Sequence, residues 1–292
     1  MVVPSFTPSH EGRERFIRPS WRYDGSVPVL IGTSGWQYAH WKRVFYPAGL
    51  PQRVWLEHHS ALFATVEVNN AFYRLPERRV FEQWALRTPA DYVITIKASR
   101  FLSHIKRLKD PQEPVQRLMD RVAGLGNKLG AILLQLPPTM AVDVGRLDET
   151  LEWFPAGTRV AVEPRHDSWW NLDVEAVLRD RGAALVWADR DSTPIAPLWR
   201  TTDWGYLRLH TGGGSPSIWP YDEKVLAQWA DRICETYADA EDVYVYTNND
   251  PEAAALRDAV TLGRLLVERG RTVSRLPTME QVTLAPYEPW EA

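Results

Sequence analysis

Residues 65–98 read TVEVNNAFYRLPERRVFEQWALRTPADYVITIKA. The stretch opens with Val66-Glu67-Val68-Asn69-Asn70, in which apolar and polar residues alternate with the period of a half-buried strand. It closes on Ile94-Thr95-Ile96-Lys97-Ala98, with the same alternation. Between them Val80, Phe81, Trp84 and Ala85 recur at helical spacing and share one face. A strand, an amphipathic helix and a second strand in this order form a unit whose strands pair in parallel through a right-handed crossover.

The rhythm continues on both sides. The pattern predicts strands at 29–34, 65–69, 92–98, 130–136, 159–163, 184–189, 205–210 and 242–247. It predicts helices at 51–63, 77–87, 113–125, 143–154, 172–182, 221–238 and 252–269. Asp222 and Pro251 stand near helix starts, and Gly182 and Gly270 just past helix ends. Residues 190–203 carry Pro194, Pro197 and the turn-prone Asp191-Ser192-Thr193, so the sixth helix is expected to be short or missing. Eight strand–helix units in about 250 residues suit an α/β fold of one closed (β/α)8 barrel over 28–275. A doubly wound open sheet is disfavoured. Gly32-Thr33-Ser34-Gly35-Trp36 is followed by bulky residues, and the dinucleotide fingerprint is absent. Residues 1–27 read as a polar N-terminal arm and 276–292 as a C-terminal tail.

The chain has 292 residues, of which 45% are apolar and 24% charged, a normal globular mix. No apolar run approaches the roughly 20 residues that span a bilayer. The net charge of −3 argues against a protein that coats nucleic acid, though not against a local basic groove. The lone Cys234 cannot form an internal disulfide, and with residues 1–27 lacking an apolar core this fits a cytoplasmic protein. Cys234 lies between Ile233 and Tyr237 in an amphipathic helix, where packing explains it better than reactivity.

Catalytic groups of such barrels stand at the C-terminal ends of the strands, and alternation selects which residues face the lumen. That parity puts Glu67 and Asn69 inward on strand two, and Thr95, Lys97 and Ser99 on strand three. Gln135 follows on strand four, and Glu163 on strand five with Arg165 and His166 beyond it. Asp189 ends strand six, Arg208 and His210 strand seven, and Tyr244, Tyr246 and Asn248 strand eight. A barrel without a site would fill most of these positions with Val, Ile and Leu. The competing explanation is a buried ion-pair network among Glu67, Lys97, Glu163 and Arg208. Residues 97–109 hold Lys97, Arg100, Lys106, Arg107 and Lys109 and no acid. Such a loop is either a solvated basic face or an anion platform. Gly212, Gly213 and Gly214 follow strand seven, where backbone N–H groups can cradle an oxyanion. A turn or lid hinge is the alternative reading of those glycines. His104, His166 and His210 with Glu67, Glu163 and Asp189 could in principle hold a divalent ion. No HxH or HExxH spacing supports one, and neither metal nor cofactor is expected. A glycosidase pair of Glu67 and Glu163 fits poorly beside Lys97 and Arg208.

Ordered blocks along the chain resemble one family. They are Ile31-Gly32-Thr33-Ser34-Gly35-Trp36 with Trp41 and Phe45-Tyr46-Pro47, and Val66–Asn69 with Phe72–Pro76. Lys97–Arg100 with His104, Leu133–Pro138, Val162–His166 with Ser168-Trp169, Arg208–His210, and Val243–Tyr246 with Asn248–Asp250 complete the series. Together they resemble the YecE-like family, domain of unknown function 72, over roughly residues 29–270. The resemblance implies a TIM-like barrel and no established reaction. Shape similarity to endonucleases of AP-site repair has been suggested for the family, but most of the histidine-rich metal cluster of those enzymes is missing here.

The leading expectation is an enzyme acting on a small anionic, phosphate-bearing molecule. Glu67 and Glu163 would serve as acid and base and His210 as proton shuttle. Lys97, Arg165, Arg208, Gly212 and Gly213 would hold the anion, with Trp36, Asn69, Tyr73 and Asn248 lining the site. A nucleic-acid-binding or repair protein is the alternative, with loop 97–109 on the backbone and Trp36, Tyr73 and Trp169 stacking bases. A ligand sensor without turnover is the third. Oligomeric state is not legible.

Overall fold

The computed structural model describes residues 28–212, 220–240, 242–248 and 251–283. The N-terminal arm 1–27, Gly213, Gly214 and residues 284–292 of the tail lie outside them. The alternating runs become parallel strands: β1 (Val29–Ser34), β2 (Thr65–Val68), β3 (Val93–Lys97), β4 (Leu129–Gln135) and β5 (Val160–Glu163). There follow β6 (Ala184–Leu185), β7 (Trp187–Arg190), the two-residue β8 (Thr193–Pro194), β9 (Gly205–Leu209) and β10 (Val243–Thr247). Between them run α1 (Trp55–Leu62), the one-turn α2 (Asn70–Tyr73), α3 (Arg78–Leu86), α4 (Gln112–Val122), α5 (Val144–Glu152) and α6 (Leu172–Asp180). The last two are α7 (Glu223–Thr236) and α8 (Ala254–Glu268).

Strand order is β6-β5-β4-β3-β2-β1-β10-β9-β7-β8. Its two flanks are the same piece of chain. β6 pairs with β5 and β7 pairs with β9, and both lie within Ala184–Arg190. At the break between them the Val186 N–H still donates to the Val162 carbonyl at 2.9 Å. The stretch therefore hands over from β5 to β9, and the sheet closes into a ring of eight staves. Closure leaves no long unpaired edge, which is what barrels achieve.

Helix boundaries follow local chemistry. Asn171 Oδ1 accepts from the N–H groups of Asp173 and Val174 at 3.1 Å each and starts α6. Asp222 does the same for Lys224 at 2.8 Å and starts α7. In α4 the buried residues Val115, Leu118, Met119 and Val122 recur every three or four positions, and this stripe fixes which face meets the sheet. Among the described residues no helix joins β7 to β9. Asp191 and Ser192 both take left-handed φ, 55° and 60°. This tight turn folds β8 back antiparallel on β7, as paired positive φ values favour in hairpins.

Two apolar clusters result. The larger lies between sheet and helices. The smaller fills the barrel with Leu30, Leu133, Val186, Tyr206, Tyr244, Tyr246 and their neighbours. Residues past 275 also pack: Leu276 lies against the outer core and Val282 is fully buried in it. Among the described residues, no helix is long and apolar enough to cross a membrane.

Candidate functional site

Strand parity brings Ser34, Glu67, Lys97, Gln135, Glu163, Arg208 and His210 to one end of the lumen, the C-terminal mouth. Arg208 lies at its floor, 1% exposed. Its Nε and Nη2 donate to Glu67 Oε2 and Oε1 at 2.9 and 2.8 Å. Its Nη1 donates to Glu163 Oε2 at 2.7 Å. Glu67 also accepts from the Ser34 hydroxyl and, at 2.7 Å, from Tyr206 OH. Glu163 accepts from Gln135 Nε2 at 2.7 Å and from Arg165 Nε and Nη2 at 3.2 and 3.0 Å.

Burial pushes both carboxyls toward protonation, but Arg208 and these donors outweigh it. Glu67 stays below the usual carboxylate range and Glu163 well below it. Both are anions whose acceptor positions are taken. A carboxylate in that condition is a poor acid and a poor base, so the geometry moves proton chemistry away from the pair expected to carry it. Arg208, expected to clamp an anion, spends its contacts on these two carboxylates.

Above the floor lies a partly exposed rim. Asn248 Nδ2 donates to His210 Nδ1 at 2.9 Å, so the ring proton sits on Nε2, which faces Glu163 Oε1 at 3.3 Å. Burial lowers the His210 pKa and keeps the ring neutral. Asn69 Nδ2 donates to Ser34 Oγ at 2.6 Å. Its Oδ1 is buried with no partner among the described residues. Arg165 is 23% exposed. Its Nε and Nη2 rest on Glu163, and its Nη1 has no partner among the described residues. Lys97 Nζ donates to Gln135 Oε1 at 2.9 Å and lies 4.3 Å from the Phe72 ring centroid. Among the described residues no carboxylate is within ion-pair distance of it. Burial, and then the charge of Arg208, bring its pKa down to about 8. His104 packs edge-on against Phe72, 4.9 Å between ring centres. Counting side chains, the mouth carries three cations against two carboxylates.

Other expected site residues lie elsewhere. Trp36 is 4% exposed and packs against Trp84 in the outer core, because the chain has left β1 and turned under the helices. Trp169 is also buried, its Nε1 donating to the Met140 carbonyl at 2.8 Å. Tyr73, 73% exposed on α2 beside Phe72, remains at the rim. Gly212 gives its carbonyl to the Ser192 hydroxyl, and a Cβ there would strike the Pro220 backbone. Its lack of a side chain serves close chain packing.

Asp189 points outward, to Tyr221 OH and Trp229 Nε1 at 2.8 and 2.9 Å. Its neighbour Ala188 faces the lumen and pairs in register with Arg208. Alternation is intact here, with Ala184, Val186 and Ala188 in the lumen cluster and Leu185 and Trp187 in the outer core, so Asp189 falls on the outer face. Among the described residues no group of three His, Cys, Asp or Glu side chains could hold a metal ion. Sequence reasoning missed Phe72 and Gln135 as partners of Lys97. Gln135 was legible from parity, whereas Phe72 lies on the unanticipated one-turn α2.

The basic loop is mostly occupied with itself. Residues Phe101–Ile105 form a π-helical turn. Lys106 Nζ pairs with Asp110 Oδ2 at 3.1 Å and Arg107 Nη2 reaches Thr139 Oγ1 at 3.2 Å. Of its cations, Lys97 is the one that enters the lumen.

The sequence profile described as "Protein of unknown function DUF72" matches residues 30–282. The chain belongs to the DUF72 family. The UPF0759 protein YecE of Escherichia coli K12 is 27% identical over 171 residues, 57% of this chain and 60% of that protein. The chain thus spans about 60% of the length of that curated relative. The UPF0759 protein YunF of Bacillus subtilis is 26% identical over 272 residues, 82% of this chain and 94% of that protein. A DUF72 crystal structure from Thermotoga maritima superposes with a TM-score of 0.73 at 27% identity, covering 82% of this chain and 99% of that one. A second DUF72 structure, from Enterococcus faecalis, gives 0.69 at 18% identity, covering 82% and 95%. The DUF72 fold is thereby a TIM-like barrel here, as the strand ring indicates independently.

Proposed function

We propose that this DUF72 barrel is an enzyme whose mouth receives a small anionic molecule bearing a carboxylate or phosphate. The observation that carries the reading is the excess of positive charge left open at the rim. Arg208 and Arg165 together balance Glu67 and Glu163, and Lys97 is the surplus cation, with no carboxylate within ion-pair distance among the described residues, while the Nη1 of Arg165 remains a spare donor. An anion entering there meets charge-assisted donors in a partly desolvated pocket, where each is worth about 1.5–3 kcal/mol. Asn69 Oδ1 supplies an unused acceptor that suits a hydroxyl on the same molecule. His210, neutral and held at both ring nitrogens, is positioned for proton transfer through Nε2 once Glu163 yields. The nucleic-acid alternative loses support because Trp36 and Trp169 are buried and cannot stack bases.

The test is calorimetric titration with phosphate, sulfate, short phosphate esters and short hydroxy acids. Arg165→Ala should weaken binding about tenfold or more, and Lys109→Ala at an exposed loop position hardly at all. Equal losses would point to diffuse surface charge. No binding at millimolar concentration would end the reading.

A further inference from the structure

Resting on the anion reading, we propose that Lys97 is a nucleophile that condenses with the carbonyl group of a small acidic aldehyde or ketone, forming an iminium at the end of β3. A lysine kept for charge alone is normally given a carboxylate, and two stand in the same lumen. Both are taken by Arg208 and Arg165 instead. Lys97 is left with a neutral amide oxygen at 2.9 Å and an aromatic face at 4.3 Å. The amide oxygen needs only an N–H, the ring face holds the ammonium more weakly than a carboxylate would, and the residue is only partly buried. Lys128 shows the contrasting arrangement. It holds the end of α3 through the Ala85 and Thr88 carbonyls and Thr88 Oγ1, and its contacts are all structural.

A desolvated lysine beside other cations is the arrangement that frees an amine for carbonyl chemistry. With a pKa of about 8, roughly a tenth of Lys97 is unprotonated at pH 7. The free amine attacks the carbonyl carbon. The C–O π pair moves to oxygen, which takes a proton from nitrogen to give the carbinolamine. The C–OH bond then breaks with a second proton, releasing water and leaving a C=N bond. The proton that leaves the ammonium before attack is replaced at this step, so ammonium plus carbonyl gives iminium plus water with no further reactant. The acidic group of the same molecule would lie on Arg165 Nη1.

The experiment incubates the full chain with sodium cyanoborohydride and glyoxylate, pyruvate or dihydroxyacetone phosphate, with propionaldehyde as the neutral comparison. Adducts are located by intact mass and peptide mapping. Expected is labelling of Lys97 at least tenfold faster than Lys106, Lys109 or Lys224, saturating with the acidic probes, with a rate that climbs through pH about 8. Lys97→Arg should lose that adduct while keeping the melting temperature. Labelling no faster at Lys97 than at those lysines, with anion binding intact, would overturn the covalent step and leave the anion site standing. Selective labelling by propionaldehyde as fast as by glyoxylate, without calorimetric anion binding, would support the covalent step and overturn the anionic class.

Discussion

Taking away the Arg208 guanidinium leaves two carboxylates, Glu67 and Glu163, buried in the lumen without their central cation. Breaking a buried pair in this way costs about 3–5 kcal/mol, so Arg208→Ala should lose that much stability at pH 7.5 in urea denaturation. The pH dependence has a definite sign. Folded-state pKa values of both carboxyls lie below the ordinary value of 4.5. Their paired contribution is complete above that value and is lost as pH falls through the lower folded values. In the variant the unpaired carboxyls protonate more readily, so the gap between variant and wild type should narrow on going from pH 7.5 to pH 4.5. A loss under 1 kcal/mol, or a gap that widens with acid, would mean that other donors neutralise the pair. At this scale the sequence was a partial guide. Residue types and inward parity were readable for Glu67, Lys97, Glu163 and Arg208. Which carboxylate each cation takes was not, since Arg208 and Glu67 are 141 positions apart.

At the scale of elements, β1 and β2 approach so closely that a side chain at Gly32 would lie on the Thr65 carbonyl. Gly32→Ala must therefore push the two strands apart beneath Ser34 and Glu67, a strain of about 1–3 kcal/mol. Gly145 in α5 is exposed and has only Asp143 Oδ1 near, at 3.8 Å. There the same change should stabilise by about 0.5–1 kcal/mol, because alanine suits a helix better. Paired thermal denaturations check both signs, and a neutral Gly32→Ala would show that β1 has room to shift. Most strands and helices were legible because their periods are local properties of the chain. Asp189 was misread although the period is intact: Ala184, Val186 and Ala188 face the lumen, and the same alternation turns Asp189 outward. Trp36 was misread because the chain turns under the helices just after β1, and no local pattern announces where a strand's direction ends.

Across the whole molecule, packing continues to Val282, beyond the 275 boundary that composition suggests. A chain ended after residue 275 exposes the surface that Val282 and Leu276 cover. Burying a residue like Val282 is worth about 1.5–3 kcal/mol. For a domain of this size that corresponds to a melting temperature lower by roughly 3–10 °C. An unchanged melting temperature would place the barrel's limit at 275 after all. The hydrophobic signal in 276–283 is too short to read as an element, since a single buried valine has no period.

Periodicity along the sequence determined the eight parallel staves of the barrel and the end at which the polar residues gather, because each follows from which face a residue presents a few positions from its neighbours. The β6/β7 break and the antiparallel β8 were not legible in it. Closure, partner choice and the chemical state of the mouth were decided only by tertiary structure. Arg208 meets Glu163 across 45 positions and Glu67 across 141. Ala184–Arg190 closes the ring by pairing with one strand on each side. Lys97 is left to the Gln135 amide and the Phe72 ring because Glu67 and Glu163 are already engaged. Such a competition between side chains is set by distances through space, and spacing along the chain carries no record of it.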